Sequence, residues 1–232
     1  MHIGGLQKTS LIDYPEKISC VLFLSGCNFD CPFCHNPQLA KGMADNSAVP
    51  DLDSFYRFLE NRRSFLEGVV ISGGEPTLQP GLFSLCAKLK QLGYPVKLDT
   101  NGSRPRVIRD LIAADLVDYI AMDIKTDPLH YTPLVRDECA PDCILESIRI
   151  IVDDAPAYEF RTTCVRPLVS AGVIEKICRL IRGADQYVLQ RFREENVMHP
   201  EFFQAVNPSF TGDELDQLQA VAAPYVNRCI IR

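Results

Sequence analysis

Six short runs of β character, separated by five stretches of helical period, occupy residues 18–192 and leave few architectures open. Residues 18–25, 69–71, 96–100, 119–125, 158–165 and 187–192 read as strands, rich in Val, Leu, Ile, Phe and Tyr. Between the first two, Leu52, Phe55, Tyr56 and Leu59 recur at helical spacing behind Pro50 and Asp51, a helix start. Leu82, Leu85, Cys86, Leu89 and Leu92 make the next period, with Gly93 as its stop. Residues 106–114, 144–152 and 173–181 supply three more helices, and a last helix over 214–222 precedes a closing strand over 226–231. Strand and helix in alternation argue a parallel α/β sheet. Two forms of it satisfy the pattern, a doubly wound open sheet and an incomplete (β/α) barrel. In both, a ligand sits beyond the C-terminal ends of the strands. The unusual polar residues cluster just there: Cys27, residues 73–75, residues 99–102 and residues 123–125. These four groups are expected to face one cavity.

The 232 residues are read as a single domain spanning 1–232. Lys and Arg number 24 against 30 Asp and Glu, a net charge of −6 that excludes nucleic-acid binding by bulk charge. The longest apolar run is residues 20–24, too short for a bilayer, and Met1 opens a polar segment rather than a signal peptide. A cytoplasmic protein with no membrane partner is expected. Ten cysteines then point away from a secreted disulfide framework and toward metal or thiol chemistry.

Three of those cysteines, Cys27, Cys31 and Cys34, are spaced C-x3-C-x2-C within eight residues. Structural zinc sites and ordinary iron–sulfur clusters take four protein ligands. With no fourth Cys near, one position is left for an exogenous ligand. His35 is a rival fourth ligand, but joint ligation with its immediate neighbour Cys34 is awkward. Three buried thiols without metal is the remaining reading, and the turn-rich Asn, Asp and Pro around them speak against it. Glu75, Asp99 and Lys125 are charged residues placed after three different strands, where Glu75 could take charge-assisted bonds; standing alone, Asp99 or Lys125 would read as a surface charge. Gly73 and Gly74 allow close backbone approach, or make a plain strand-end turn.

The cysteine loop, with Phe33 before its last Cys, resembles the radical S-adenosylmethionine (SAM) enzymes, and residues 72–76, Ser-Gly-Gly-Glu-Pro, resemble that family's second motif. The resemblance implies an incomplete (β/α)6 barrel of parallel strands. It also implies a [4Fe–4S] cluster on Cys27, Cys31 and Cys34, with SAM chelating the fourth iron. Glu75 and the Gly73–Gly74 backbone would hold the methionyl amine, Phe33 would lie beside the adenine, and Asp99 and Lys125 would complete the SAM site. Residues 5–15, 23–27, 34–37, 99–102 and 122–125, and more loosely Arg161, are similar to activating enzymes of glycyl-radical proteins, in particular those serving anaerobic ribonucleotide reductase. The implied activity is reductive cleavage of SAM to a 5′-deoxyadenosyl radical that takes hydrogen from a glycine of a partner enzyme. A flavodoxin- or ferredoxin-type protein would supply the electron. The alternative within the superfamily is an enzyme acting on a small molecule, similar to 7-carboxy-7-deazaguanine synthase. The resemblance also raises a monovalent cation near Asp99, Thr100 and Asp123.

The other thiols read differently. Cys20, Cys86, Cys164, Cys178 and Cys229 lie in apolar patterns and are expected in the core. Cys139 and Cys143 lie on a polar connection and read as free thiols. His130 and His199 read as surface residues. Gln190 stands where activating enzymes place a further SAM contact, but it is not the expected His and is left outside the site. About 40 residues follow residue 192, too few for a separate domain over a free substrate, so a loop of another protein is the expected substrate. The rival is a lid over residues 126–141.

Overall fold

The computed structural model describes residues 1–43, 50–131, 134 and 141–232. One sheet contains β1 (Ile3–Ser10), β2 (Ser19–Leu24), β3 (Gly68–Gly73), β4 (Val96–Thr100), β5 (Tyr119–Asp123), β6 (Tyr158–Cys164), β7 (Tyr187–Arg191) and β8 (Cys229–Ile231), in that order. The helices are α1 (Pro37–Ala40), α2 (Leu52–Asn61), α3 (Leu82–Gln91), α4 (Pro105–Ala113), α5 (Pro141–Asp154), α6 (Ala171–Leu180) and α7 (Gly212–Ala222). From β2 to β8 every pairing is parallel, and the strand order never reverses. Right-handed crossovers in one unreversed direction place successive helices on the same face. That excludes the doubly wound form and makes an open, incomplete barrel whose two edge strands, β1 and β8, are not paired with each other. The six expected strands are β2 to β7. The closing strand shortens to Cys229–Ile231, and β1 was not anticipated. It pairs antiparallel with β2 and is rich in Gly and polar residues, so it carries little apolar signal.

Alternation along the strands divides the molecule into two layers. Cys20, Leu22, Leu24, Val69, Ile71, Val96, Leu98, Ile120, Met122, Phe160 and Leu189 join the main apolar core, with helix residues such as Phe55, Leu85, Ile108, Ile148 and Ile177. The intervening strand positions belong to the barrel interior. Val21 and Val70 pack there with Tyr14, Phe23 and Tyr119 as a small second cluster. Lys97, Asp99, Asp123, Glu159 and Arg161 make that interior polar farther round. Cys20, Cys86, Cys164 and Cys178 are fully buried core residues as expected, while Cys229 and Cys143 are half-buried at its margin. Cys139 lies outside the described residues, as does part of the connection over 126–141.

Local signals set the helix ends. Asp51 caps α2 by accepting from Ser54 N at 2.7 Å. Gly93, with φ of +80°, closes α3 in the left-handed conformation. Thr211 and Glu214 form a reciprocal capping box at the start of α7.

Candidate active site

A cavity of about 340 Å³ opens at the C-terminal ends of the strands, within the size range of small-molecule sites. Its wall includes Cys27, Cys31, Phe33, Cys34, Gly73, Gly74, Asp99 and Lys125, bringing together residues up to 98 positions apart. Asp123, Arg161, Thr163 and Gln190 also line it. Gln190, left out on sequence grounds, is therefore part of the wall. Asp13 also lines it, carried there by the β1–β2 connection, in which Ser10 Oγ donates to Asp13 and accepts from Ile12 N and Asp13 N.

The cysteine loop is held from several sides. Gly26 N and Cys27 N donate to the Leu39 and Ala40 carbonyls at 2.7 and 3.0 Å. Asp30 N donates to Leu134 O at 2.7 Å, and Phe29 meets Tyr131 edge-on at 5.8 Å. His199, partly exposed, also braces the loop: its backbone N–H donates to Pro32 O at 3.1 Å and its ring Nε2 lies 3.2 Å from Asp30 Oδ1. No short motif marks that contact, because 167 residues separate His199 from Pro32. His35 is exposed and turned toward Glu195 O at 3.3 Å. Burial pushes the Cys27 thiol up to about 11 and the Cys31 thiol up to about 12. Both are therefore protonated at neutral pH unless a bound cation draws the proton off.

The glycines solve a problem of backbone clearance. Gly73 has φ of +118°, and a Cβ there would lie 2.2 Å from Leu24 O. A Cβ on Gly74 would lie 2.1 Å from Gly26 O. With neither present, Gly74 N and Glu75 N donate to Leu24 O and Gly26 O, each at 2.8 Å. The exit of β3 is thereby sewn to the entry of the cysteine loop, while both glycines still face the cavity.

Glu75 is placed differently from the expectation. It is 1% exposed and does not line the cavity. Its Oε1 accepts from Thr77 N (3.1 Å), Thr77 Oγ1 and Thr100 Oγ1 (2.8 Å), and its Oε2 from Asn101 N (2.7 Å). Burial lifts its pKa against these bonds. The carboxylate joins the exits of β3 and β4.

Across the interior runs a chain of fixed charges. Arg161 Nε donates to Asp123 Oδ1 at 2.7 Å, and its Nη1 lies 3.4 Å from Asp99 Oδ1. Lys97 pairs with the same Asp99 oxygen, and Ser72 Oγ donates to Oδ2 at 3.0 Å. Lys125 Nζ lies 2.9 Å from Asp123 Oδ2 and 5.9 Å above the Phe33 ring. Burial alone would raise both aspartates, but Arg161, with Lys97 at Asp99 and Lys125 at Asp123, holds each below the usual carboxylate range. Burial would lower Lys125, but Asp123 holds it above the ordinary lysine value. Arg161, matched only loosely in the sequence, is thus the hinge of the network. A guanidinium stands between the carboxylates raised above as cation ligands. Among the described residues no three His, Cys, Asp or Glu side chains converge on a single ion. A cubane cluster is wider than an ion and takes each cysteine at a separate iron.

An open parallel barrel with three thiols and a polar, charge-paired wall at its strand ends defines a class, and the family model of the radical SAM superfamily matches residues 21–165. "Putative glycyl-radical enzyme activating enzyme MJ1227" of Methanocaldococcus jannaschii is 35% identical over 99% of this chain and 95% of its own. The chain belongs to the radical SAM superfamily and, within it, to the glycyl-radical enzyme activating enzymes. It is also 32% identical to 7-carboxy-7-deazaguanine synthase of Thermococcus kodakarensis, over 72% of this chain and 71% of that one. Streptococcus suis SuiB bound to SAM shares the fold, with a TM-score of 0.66 and 14% identity. That match covers 91% of this chain, which spans about half (51%) of SuiB.

The cofactors of the family are a [4Fe–4S] cluster and SAM, and the residues present fit both. Three sulfurs share one wall. The charged groups are already fixed by partners. Cys27 Sγ accepts from Phe29 N at 3.3 Å and lies 3.9 Å from Asn101 Nδ2, donors that suit a sulfur carrying negative charge. No helix of the described residues is long and apolar enough to cross a membrane.

Proposed function

We propose that Cys27, Cys31 and Cys34 hold the cluster and that Phe33, Gly73, Gly74, Asp99 and Lys125 receive SAM. The observation that carries this is the convergence of all eight on one cavity wall. When bound, the two cofactors supply the electron transfer and the 5′-deoxyadenosyl radical that takes hydrogen from a glycine Cα. The chain's residues orient and shield. The Gly73 and Gly74 backbone would lie close to the ligand, Asp99 would accept from its hydroxyls, and Lys125, held by Asp123, would meet an anionic group without changing its own protonation. Glu75 keeps the floor of the site in register. Cys27→Ala, Cys31→Ala and Cys34→Ala should each lose iron from a content of about four per chain, measured after anaerobic reconstitution. Full iron in all three variants would refute the assignment.

The partner we assign is anaerobic ribonucleotide reductase, with a flavodoxin- or ferredoxin-type donor. The likeness of residues 5–15 to activating proteins of that reductase supports this, and Asp13 of that segment lies in the cavity wall. The open edge between β1 and β8 suits an inserted loop of another protein. The test is electron paramagnetic resonance of the protein with SAM, a reductant and the reductase. A glycine-centred doublet should appear and vanish when the target Gly is replaced by Ala. The likeness to 7-carboxy-7-deazaguanine synthase supports a second reading. Turnover of a small molecule with no partner protein present would favour it and overturn the first.

A further inference from the structure

Glu159 is a fully buried carboxylate that the reaction described above does not use. It lies on β6 two residues before Arg161, so both side chains enter the barrel interior. Arg232 Nη1 donates to its Oε1 at 3.0 Å, and Arg232 Nη2 lies 2.9 Å from its Oε2. Gln186 Nε2 donates to Oε2 at 2.7 Å, and the Tyr119 hydroxyl lies 3.4 Å from the same oxygen. Arg232 is held in place by its own backbone. Its N–H donates to Leu189 O at 2.9 Å, and its carbonyl accepts from Arg191 N at 2.8 Å. Among the described residues, the one other cation within 4.0 Å of Glu159 is Arg161, through Nη1. That same nitrogen lies 3.4 Å from Asp99 Oδ1. One corner of the guanidinium thus has two carboxylates in reach.

Counting charges decides which of the two it serves. Asp99 has Lys97 as a partner, and Asp123 has Lys125. Glu159 has Arg232, a two-pronged guanidinium–carboxylate pair of the strong kind. Without Arg232, Glu159 would keep two neutral donors and no cation but Arg161. A buried carboxylate stripped of its counter-charge is strongly disfavoured, so Arg161 would be drawn toward Glu159 and away from Asp99. With Arg232 in place, Arg161 keeps Nε on Asp123 at 2.7 Å and Nη1 toward Asp99, and so ties β5 to β4. We propose that Arg232 is a positioning residue for SAM binding: by satisfying Glu159 it leaves Arg161 to Asp99 and Asp123, and so fixes Asp99 and, through Asp123, Lys125. The inference rests on the assignment of Asp99 and Lys125 to SAM.

The experiment measures SAM dissociation constants by equilibrium dialysis of the anaerobically reconstituted protein, with the urea unfolding midpoint beside them. Arg232→Met should weaken SAM binding about tenfold at equal iron content, the size of one lost hydrogen bond to a charged group. Arg232→Lys keeps a cation for Glu159 and should bind more tightly than Arg232→Met. Adding Glu159→Gln to Arg232→Met removes the carboxylate that competes for Arg161 and should restore binding. Unchanged SAM binding in Arg232→Met, whatever its urea midpoint, would reduce Arg232 to a purely structural role and overturn the proposal. A combined variant that binds as weakly as Arg232→Met would overturn it as well. If Arg232→Met does not fold, the combined variant decides alone: binding near that of the unsubstituted protein is expected, and lost binding overturns the proposal. Asp99→Asn separates this inference from the assignment beneath it. Normal SAM binding there refutes Asp99 as a SAM contact; weaker binding there without the Arg232 effects refutes only the role of Arg232.

Discussion

Glu75 shows how far a residue's role depends on what the chain wraps around it. Its carboxylate accepts four hydrogen bonds from Thr77, Thr100 and Asn101. The same type of group in solvent would be free to meet an ammonium. Glu75→Gln replaces one acceptor oxygen by a donor, which leaves a backbone or hydroxyl donor buried without its partner. We expect a loss of about 1–3 kcal/mol in stability, read from the urea unfolding midpoint. SAM affinity should fall less than stability. Unchanged stability with lost SAM binding would return Glu75 to direct contact with the methionyl amine. His199 makes the complementary point. As a single residue in a polar stretch it carries no signal, yet it touches the cysteine loop at both Asp30 and Pro32.

Between elements, the decisive contact is the crossing of the β3 exit and the cysteine-loop entry. Leu24 stands beside Gly73 in the β2–β3 register, and the two chains then run too close for side chains on the second. Gly74→Ala would force its Cβ against the Gly26 carbonyl, which is backbone and cannot rotate away. Overpacking of this kind costs about 1–3 kcal/mol. We expect lower thermal stability and, because Gly26 adjoins Cys27, reduced iron uptake; normal values of both would show that the loop has slack. The glycine pair was legible as a special position. The reason for it, clearance from the neighbouring backbone as well as from a ligand, required the register.

At the scale of the whole molecule, the barrel interior is an electrostatic core. Arg161 reaches three carboxylates, Asp123 at 2.7 Å, Asp99 at 3.4 Å and Glu159 at 4.0 Å. Glu159 is further paired with Arg232 at 2.9 Å. Removing one member leaves buried charges uncompensated, so Arg161→Met should destabilise the protein by about 3–5 kcal/mol near neutrality. The sign of its pH dependence follows from the two aspartates. Their folded pKa values are depressed, so the stability they contribute is present above the unfolded value of about 3.9. It is lost as pH falls through the lower folded values. Without Arg161 their folded values rise, and the variant can neutralise them by protonation. The gap between the two proteins should therefore narrow as pH drops from 7 toward 4, measured by denaturant unfolding at each pH. A constant gap would mean that Arg161 acts through packing alone.

The order and kind of β2 to β8 and of α2 to α7, the parallel sheet and the three-cysteine loop were determined by local information. Apolar period distinguishes helix from strand, and crossover length distinguishes parallel from antiparallel pairing. The spacing of three thiols limits what they can bind. The expected gathering of Cys27, Gly73, Asp99 and Lys125 into one cavity followed from the rule that parallel strands end on one side. Three matters were decided only by the tertiary structure. The unreversed strand order excludes the doubly wound form. The polar β1, with few apolar residues to announce it, is held by its ladder to β2. The partner of each buried charge is set by neighbours such as Asp123 and Arg161, which are 38 residues apart in the chain yet directly opposed in the sheet. Periodicity reports which side of an element is buried. Register, which is a relation between two elements, decides what each side chain meets there.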